Sequence, residues 1–407
     1  MPELAFTDKL RTESRRWPLT HAPLRAGRRL VQEKIPRGLE NILRAIAPTS
    51  ALTFGPPKDT FHIIRDERLA SPSEHGRLLW VDQGAPRATP ESLLVRSKLG
   101  QHTSQPWPVF WSRHANARLV ATTLALLDDQ KRVAMESIYG AVCQPDDPAW
   151  RYLTLPEPVT LAGNWTSLVS RWCPNDAVPT FTHWILDALP RLLMLAEFPA
   201  DTKILVPSKL AGYQRETLQL LGLHDRVRLT PERHLRVENY FFAAPTAQID
   251  CYNPRAVEFL RSQFLPKMDL SYSGPKKFLI HRSHKSRGIV NEAEVYEFFT
   301  RRGWAIVDTE KLTFAQELKL FNDAEAITGV FGSGYTNALW CRPGCKLLPF
   351  VADTWLDGYV EWIAEVLGLE FHWRLFPSDH AMRAKVDLTR VEEMLRGAGL
   401  ADDSPGT

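Results

Sequence analysis

Three side chains suited to acid–base chemistry recur at helical spacing near the middle of the chain: His183, Asp187 and Arg191. At about 100° per residue they fall within about 80° of one another on a helix, opposite the apolar residues of that stretch. His183 could remove a proton from an acceptor hydroxyl, and Asp187 could orient the imidazole. The same spacing also fits a solvated helix face with an i,i+4 ion pair. Pro190 predicts an irregular helix, because proline removes a hydrogen bond and kinks the axis.

A basic segment with two hydroxyls, HRSHKSR, follows a predicted strand at residues 281–287. Cationic side chains at the carboxyl end of a strand could hold a diphosphate. The alternative interpretation is a solvated basic loop.

A glycine turn, Gly332-Ser333-Gly334, separates a predicted strand from a short helix. Glycines let backbone N–H groups approach a phosphate, and a helix N-terminus favours negative charge. Many α/β turns contain Gly-x-Gly, so this signal is weak by itself, and the Gly-Lys-Ser/Thr of a Walker loop is missing.

Short apolar strands alternate with helices around these segments, which indicates βαβ units and parallel sheets. A hairpin is predicted over residues 119–139, and Asn291 and Thr313 are predicted helix N-caps. The first series has predicted strands at 165–172, 204–206, 227–229 and 240–244 and helices at 183–197 and 213–221. The second has predicted strands at 277–281, 304–307, 326–330 and 347–351. Residues 247–275 interrupt the alternation with three prolines, which predicts a linker between two doubly wound halves.

The composition is that of a globular protein, with 44% apolar and 24% charged residues in 407. A formal charge of +3 gives no argument for a nucleic-acid partner. Because no apolar run reaches about 20 residues and the N-terminus lacks a signal-peptide core, we expect a cytoplasmic protein. The first 48 residues carry ten Lys or Arg against five acids. This excess fits a helical extension packed on the domain or a peripheral contact with the inner face of an anionic membrane.

Taken in order, the motifs resemble those of glycosyltransferase family 61, which includes many bacterial capsular-polysaccharide-type proteins. The resemblance covers roughly residues 165–350. It rests on HWILDALPR at 183–191, QRETL at 214–218, Arg282 with RGIVNE at 287–292, EKLTFAQE at 310–317 and GSGYTN at 332–337.

The resemblance implies an α/β, GT-B-like fold in which two Rossmann-like domains face a cleft. It also implies an inverting hexosyl- or pentosyltransferase of surface or capsular polysaccharide synthesis. The substrates would be a nucleotide-sugar donor and a glycan or glycolipid acceptor, and no cofactor or metal is expected. The predicted parts are a basic extension (1–48), an acceptor-side domain (49–246), the linker (247–275), a nucleotide-sugar-binding domain (276–375) and a C-terminal helix and tail (376–407).

Site roles follow from the same resemblance. Either His183 or Asp187 would be the catalytic base, and the sequence leaves open which. The expected ligands of the donor diphosphate are Arg282, Arg287, Gly332, Ser333, Gly334, Thr336 and Asn337. Further candidates in the cleft are Arg191, Asn291, Glu292 and Glu310.

Three positions depart from the family pattern. Phe331 stands where family members often have His, Tyr335 where they often have Leu, and Pro349 where they often have an acid. The missing His and acid motivate an alternative function, a nucleotide-sugar or glycan-binding protein with weakened catalysis. A phosphosugar transferase on a similar scaffold would explain the basic segment but not the series of motifs.

Overall fold

The computed structural model describes residues 59–61, 75–80, 109–138, 149, 155–248, 251–282, 287–354 and 358–400. These residues form two large β-sheets covered by helices, together with a short two-stranded ladder. The predicted α/β class is therefore confirmed. The basic extension at 1–48 and positions 283–286 of the basic segment lie outside the described residues.

The first sheet is mixed, whereas the alternation of strands and helices predicts a parallel sheet beside the hairpin. Its described strands are β1 (Asp59–Phe61), β2 (Gly76–Trp80), β3 (Val109–Val120), β4 (Ala125–Leu127), β5 (Arg132–Ala134), β6 (Val159–Ser167), β7 (Lys203–Pro207), β8 (Val227–Thr230) and β9 (His234–Ala243). They run in the order β1-β5-β4-β3-β9-β6-β7-β8, and β2 pairs with β3. The pairs β6–β7, β7–β8 and β6–β9 are parallel, whereas β3–β9, β3–β4 and β4–β5 are antiparallel.

The predicted hairpin accounts for part of this mixed pairing. Asp128 closes its turn, because the Asp128 carboxylate accepts hydrogen bonds from the backbone N–H of Arg132 at 2.7 Å and from its Nε at 2.8 Å. Lys131 completes the turn in the left-handed region, with φ 62°. So short a connection can only join antiparallel strands, since a parallel pair needs a long crossover.

The second sheet is parallel throughout its described strands, as predicted for that half of the chain. The strands are β12 (Lys277–Ile280), β13 (Ala305–Val307), β14 (Ala326–Val330), β15 (Lys346–Ala352), β16 (Glu370–Phe371) and β17 (Arg374–Phe376), and the separate ladder is β10 (Ala247–Gln248) with β11 (Cys251–Tyr252). The order in the second sheet is β13-β12-β14-β15-β16, and β17 pairs with β15. The central strand β14 is buried at every position, which is typical of a sheet covered on both faces.

The helix that carries His183 is irregular, as Pro190 predicts. Helix α1 (181–197) begins with one α-helical turn at Phe181–His183, continues as a π-helix at Trp184–Ala188 and ends as a 3₁₀ helix at Leu189–Glu197. Pro190 stands at the start of the 3₁₀ part, where it cannot donate the N–H that a continuing α-helix needs. No described helix is long and apolar enough to cross a membrane.

Two predicted N-caps have different outcomes. The Thr313 hydroxyl accepts the N–H of Gln316 at 3.2 Å and the Gln316 side chain accepts the N–H of Thr313, which confirms the capping box. Asn291 stands at an N-cap position but makes no side-chain cap, so that part of the prediction is wrong. The remaining α-helices are α2 (Gly212–Leu220), α3 (Pro254–Phe264), α4 (Glu292–Thr300), α5 (Phe314–Asn322), α6 (Tyr359–Leu367) and α7 (Leu388–Gly397). Short 3₁₀ helices lie at Met135–Ile138, His224–Arg226, Leu265–Lys267, Thr309–Lys311 and Ser333–Trp340.

Residues 247–275, expected to be a linker, contain a packed helix. Asn253 caps α3 by accepting the N–H of Arg255 at 2.9 Å, and Phe264 near its other end is fully buried. The Phe264 ring lies edge-on to Phe314 and Trp340, with centroids 5.2 and 5.7 Å apart. A single apolar core joins α3 to strands of both large sheets. The domain limits given above stay predictions.

Candidate active site

The two candidate bases are hydrogen-bonded to each other. His183 Nδ1 lies 2.7 Å from Asp187 Oδ2, across the junction between the α-helical and π-helical turns of α1. The His183 side chain is 32% exposed and that of Asp187 only 5%. The pair therefore presents an imidazole to solvent with a buried carboxylate behind it.

A tryptophan covers one face of this imidazole. The Trp172 and His183 rings are stacked, with centroids 4.9 Å apart and an interplanar angle of 13°. Trp172 lies shortly after strand β6, in a turn closed by a hydrogen bond from Ser170 N–H to the Cys173 carbonyl at 3.0 Å. The sequence gives no signal for this contact, because Trp172 lies eleven positions before His183 and outside helix α1.

A pair of hydroxyls joins α1 to the glycine turn of the second sheet. Thr182 Oγ1 lies 2.9 Å from Thr336 Oγ1, which belongs to the 3₁₀ helix Ser333–Trp340. The Tyr359 hydroxyl donates to the Gly332 carbonyl at 2.8 Å and accepts from Thr336 at 3.5 Å. The residue next to His183 is thereby connected to the turn that starts at Gly332.

Arg282, from the basic segment, lies directly against the same turn. A Cβ atom at Gly332 would come within 2.3 Å of Arg282 Nη1, so a larger residue at this position would displace the guanidinium. The φ of Gly332 is 169°, which is extended backbone, so the requirement is for space. The Nε of Arg282 is buried and makes no hydrogen bond within the described residues.

The electrostatic surroundings of Arg282 include a second cation. Burial first, and the charge of Arg287 second, lower the pKa of the Arg282 guanidinium. Arg287 adopts the left-handed region, with φ 56°, and its N–H donates to the Ala381 carbonyl at 3.2 Å. Two neighbouring cations, one with a buried Nε that has no hydrogen-bond partner in the described part of the chain, make this end of the sheet suited to an anion.

Comparison with known proteins bears on the same segments. The family model described as Glycosyltransferase 61 matches residues 181–348, a range that contains the His183–Asp187 pair, Arg282 and the glycine turn. Residues 181–348 are a glycosyltransferase family 61 domain. The resemblance predicted from the sequence is thus confirmed, and it supports a glycosyltransferase with a sugar donor and a glycan acceptor in general. No curated protein matches the chain.

Within the family 61 domain, Arg191 does not share the open face of His183. Its side chain is buried, its Nε donates to the Ala243 carbonyl at 2.9 Å, and its Nη1 donates to the Val169 carbonyl at 3.1 Å. A regular helix would place Arg191 on the same face as His183 and Asp187. The π-helical turn and the 3₁₀ part change the angle between positions 187 and 191, so the prediction of a cleft residue fails there.

Two expected diphosphate ligands of the family 61 domain are also directed into the protein. The Asn337 side chain donates to Glu317 Oε2 at 2.7 Å and accepts from the Trp340 indole N–H at 2.9 Å. Thr336 is fully buried, and its hydroxyl is hydrogen-bonded to the hydroxyls of Thr182 and Tyr359. Ser333 and Gly334 are partly exposed, so of the GSGYTN motif they are the residues nearest to solvent.

The other cleft candidates, Asn291, Glu292 and Glu310, lie in segments that connect strands of the second sheet. Asn291 bonds to the backbone N–H and carbonyl of Val386, at 3.0 and 2.9 Å, so its side chain holds the C-terminal segment. Glu292 accepts from the Tyr296 hydroxyl at 2.8 Å. Glu310 is exposed in the 3₁₀ helix Thr309–Lys311, and its charge acts on Arg282.

The positions that depart from the family pattern are part of the core. Phe331 is 4% exposed and stacks on Tyr335, with centroids 6.3 Å apart and an interplanar angle of 17°. Pro349 is buried in β15 opposite Gly329 of β14. Phe331 and Pro349 therefore act as packing residues in the interior.

Proposed function

We propose that the chain is an inverting glycosyltransferase of the GT-B arrangement, transferring a sugar from a nucleotide-sugar to a hydroxyl of a glycan or glycolipid. We place it in surface or capsular polysaccharide synthesis, on the cytoplasmic side of the membrane. The observation that carries the proposal is the 2.9 Å contact between Thr182 and Thr336, which brings a His–Asp pair next to a basic, glycine-lined turn. A base and an anion site side by side are what sugar transfer from an activated donor requires.

On the acceptor side, His183 is the base and Asp187 orients it. A carboxylate only accepts hydrogen bonds, so the bond fits Nδ1–H donating to Asp187 and leaves Nε2 as the proton acceptor. The acceptor hydroxyl gives its proton to Nε2 while its oxygen attacks the anomeric carbon. The buried Asp187 then stabilises the imidazolium that forms.

On the donor side, the bond from the anomeric carbon to the diphosphate oxygen breaks as the new bond forms. Negative charge grows on the departing diphosphate, and Arg282 and Arg287 with the partly exposed Ser333 and Gly334 stabilise it. The first amides of the 3₁₀ helix add positive potential, since the N–H groups of a helix start have no partners within the helix. One displacement on the face opposite the leaving group inverts the anomeric configuration.

The test is thermal unfolding of the purified protein with UDP, GDP, CMP and their sugar conjugates. A ligand that binds only the folded state stabilises it by about 2.7 kcal/mol at a hundredfold excess over Kd. We expect one nucleotide class to raise the unfolding temperature and Arg282→Ala to abolish that rise. Transfer to a hydroxyl acceptor, or hydrolysis of the stabilising donor, then establishes catalysis. A panel without any effect on wild-type protein would contradict the donor site.

A further inference from the structure

The orientation of the proposed base needs a second restraint besides Asp187. A single hydrogen bond fixes where His183 Nδ1 points but lets the ring tilt about the line that joins the two atoms. Trp172 limits that tilt, because its ring lies nearly parallel to the imidazole, at 13°, with centroids 4.9 Å apart. The hydrogen bond and the stacked plane together determine the direction of Nε2.

The turn that carries Trp172 is bonded to the residue whose ring it covers. Cys173 Sγ donates to the His183 carbonyl at 3.4 Å. The same turn is closed by the hydrogen bond from Ser170 N–H to the Cys173 carbonyl, and Cys173 N–H donates back to Ser170 Oγ at 3.2 Å. Trp172 therefore stands in a short closed turn that is attached to the backbone of His183.

Arg191 is hydrogen-bonded to Val169, the residue that precedes this turn. The buried guanidinium bonds to the Val169 carbonyl and to the Ala243 carbonyl at the end of β9. An arginine that the sequence places in the cleft thus connects the turn to the first sheet.

We propose that Trp172 is a positioning residue of the transfer reaction, holding the His183 imidazole so that Nε2 faces the acceptor hydroxyl. This inference rests on the proposed role of His183 as base. Trp172 itself exchanges no proton, so its effect is exerted through His183 alone.

The first test compares Trp172→Leu and Trp172→Phe with wild type in a transfer assay. Loss of the ring lowers kcat by roughly tenfold to a hundredfold, because small misplacements of a catalytic group have effects of this size. KM for the donor stays within about twofold, since the donor ligands lie on the other sheet. Trp172→Phe retains a stacked ring and restores most of kcat. The matched control is Trp373→Leu, which removes a partly buried tryptophan between β16 and β17.

The second test is a double-mutant cycle with His183→Ala. If Trp172 acts through His183, Trp172→Leu has no further effect on the residual transfer rate of His183→Ala. A multiplicative loss in that background, or a Trp172→Leu protein with wild-type kcat, overturns the inference. Full activity of His183→Ala itself would instead overturn the proposed base, so the two failures are distinguishable.

Discussion

At the scale of single residues, the carboxylate behind the imidazole is buried, whereas the imidazole itself is partly exposed. Asp187 contacts His183 Nδ1 and is one of the buried residues of the π-helical turn. Removing its charge while keeping its shape separates its electrostatic role from its packing.

We predict that Asp187→Asn lowers kcat by at least about a hundredfold, with little change in donor affinity. An asparagine amide no longer favours the Nδ1–H tautomer or stabilises the imidazolium. Steady-state kinetics with saturating donor give the value, and Asp225→Asn, at an 87% exposed position, is the control. Activity within twofold of wild type in a folded Asp187→Asn protein would rule out this role.

The space at Gly332 gives a second prediction. Gly332→Ala displaces the Arg282 guanidinium and weakens nucleotide binding by roughly tenfold to a hundredfold, the value of one charge-assisted hydrogen bond. Calorimetric titration with the nucleotide that stabilises the wild type measures the change. Gly212→Ala is the matched control, because an added Cβ there meets no atom within 4 Å. Equal affinity in both variants would show that Arg282 does not contact the donor.

At the scale of elements, α2 and α5 are joined by a carboxylate. Glu216 of α2 accepts the N–H of Phe314 at 2.8 Å and of Ala315 at 3.2 Å, at the N-terminus of α5. We predict that Glu216→Ala lowers the free energy of unfolding by about 1 to 2 kcal/mol, since helix N-terminal amides lose their acceptor. Urea denaturation measures it against Glu258→Ala, an exposed change in α3. A loss no larger than that of the control would contradict the contact.

Glu317 of α5, which accepts a hydrogen bond from Asn337 in the 3₁₀ helix after the glycine turn, predicts that the stability of the fold depends on pH. Burial, with the charge of Glu216 as a smaller cause, raises the pKa of Glu317 to about 8, against the hydrogen bond from Asn337. A carboxyl whose folded-state pKa is raised contributes stability that is complete below its unfolded pKa and is lost as pH rises through the folded value. The contribution of Glu317 therefore falls between about pH 4.5 and 8.

Glu317→Gln removes this dependence, because an amide does not ionise. We expect the variant to gain unfolding temperature over wild type as pH rises from 5 to 8.5. Exposed Glu393→Gln serves as the control. A constant difference between Glu317→Gln and wild type across that range would contradict the raised pKa.

At the scale of the whole molecule, local patterns predict β12 to β15 of the second sheet and several short motifs, whereas the predicted strand at 165–172 is displaced to Val159–Ser167. His183 and Asp187 follow helical spacing, and Thr313 with Gln316 follows a capping pattern, so short-range rules suffice. The mixed first sheet and the packing of α3 depend on pairing between distant segments, which spacing does not determine.

The sequence predicts only part of the candidate site, again because contacts between distant segments do not follow from spacing. Arg282 and Gly332 were expected, but their mutual contact arises only when the basic segment and the turn meet. Trp172 was missed because its contact with His183 crosses a loop. Asn337 was expected at the donor and instead bonds to Glu317, since a motif does not show which way a side chain points.

In the proposed mechanism, the base and the donor site lie on different elements and have separate tasks. The most direct measurement compares transfer rate and nucleotide-induced thermal stabilisation in His183→Ala and Arg282→Ala. We predict that His183→Ala loses transfer but keeps the stabilisation, whereas Arg282→Ala loses the stabilisation. Undiminished turnover in His183→Ala, or full stabilisation in Arg282→Ala, would contradict it.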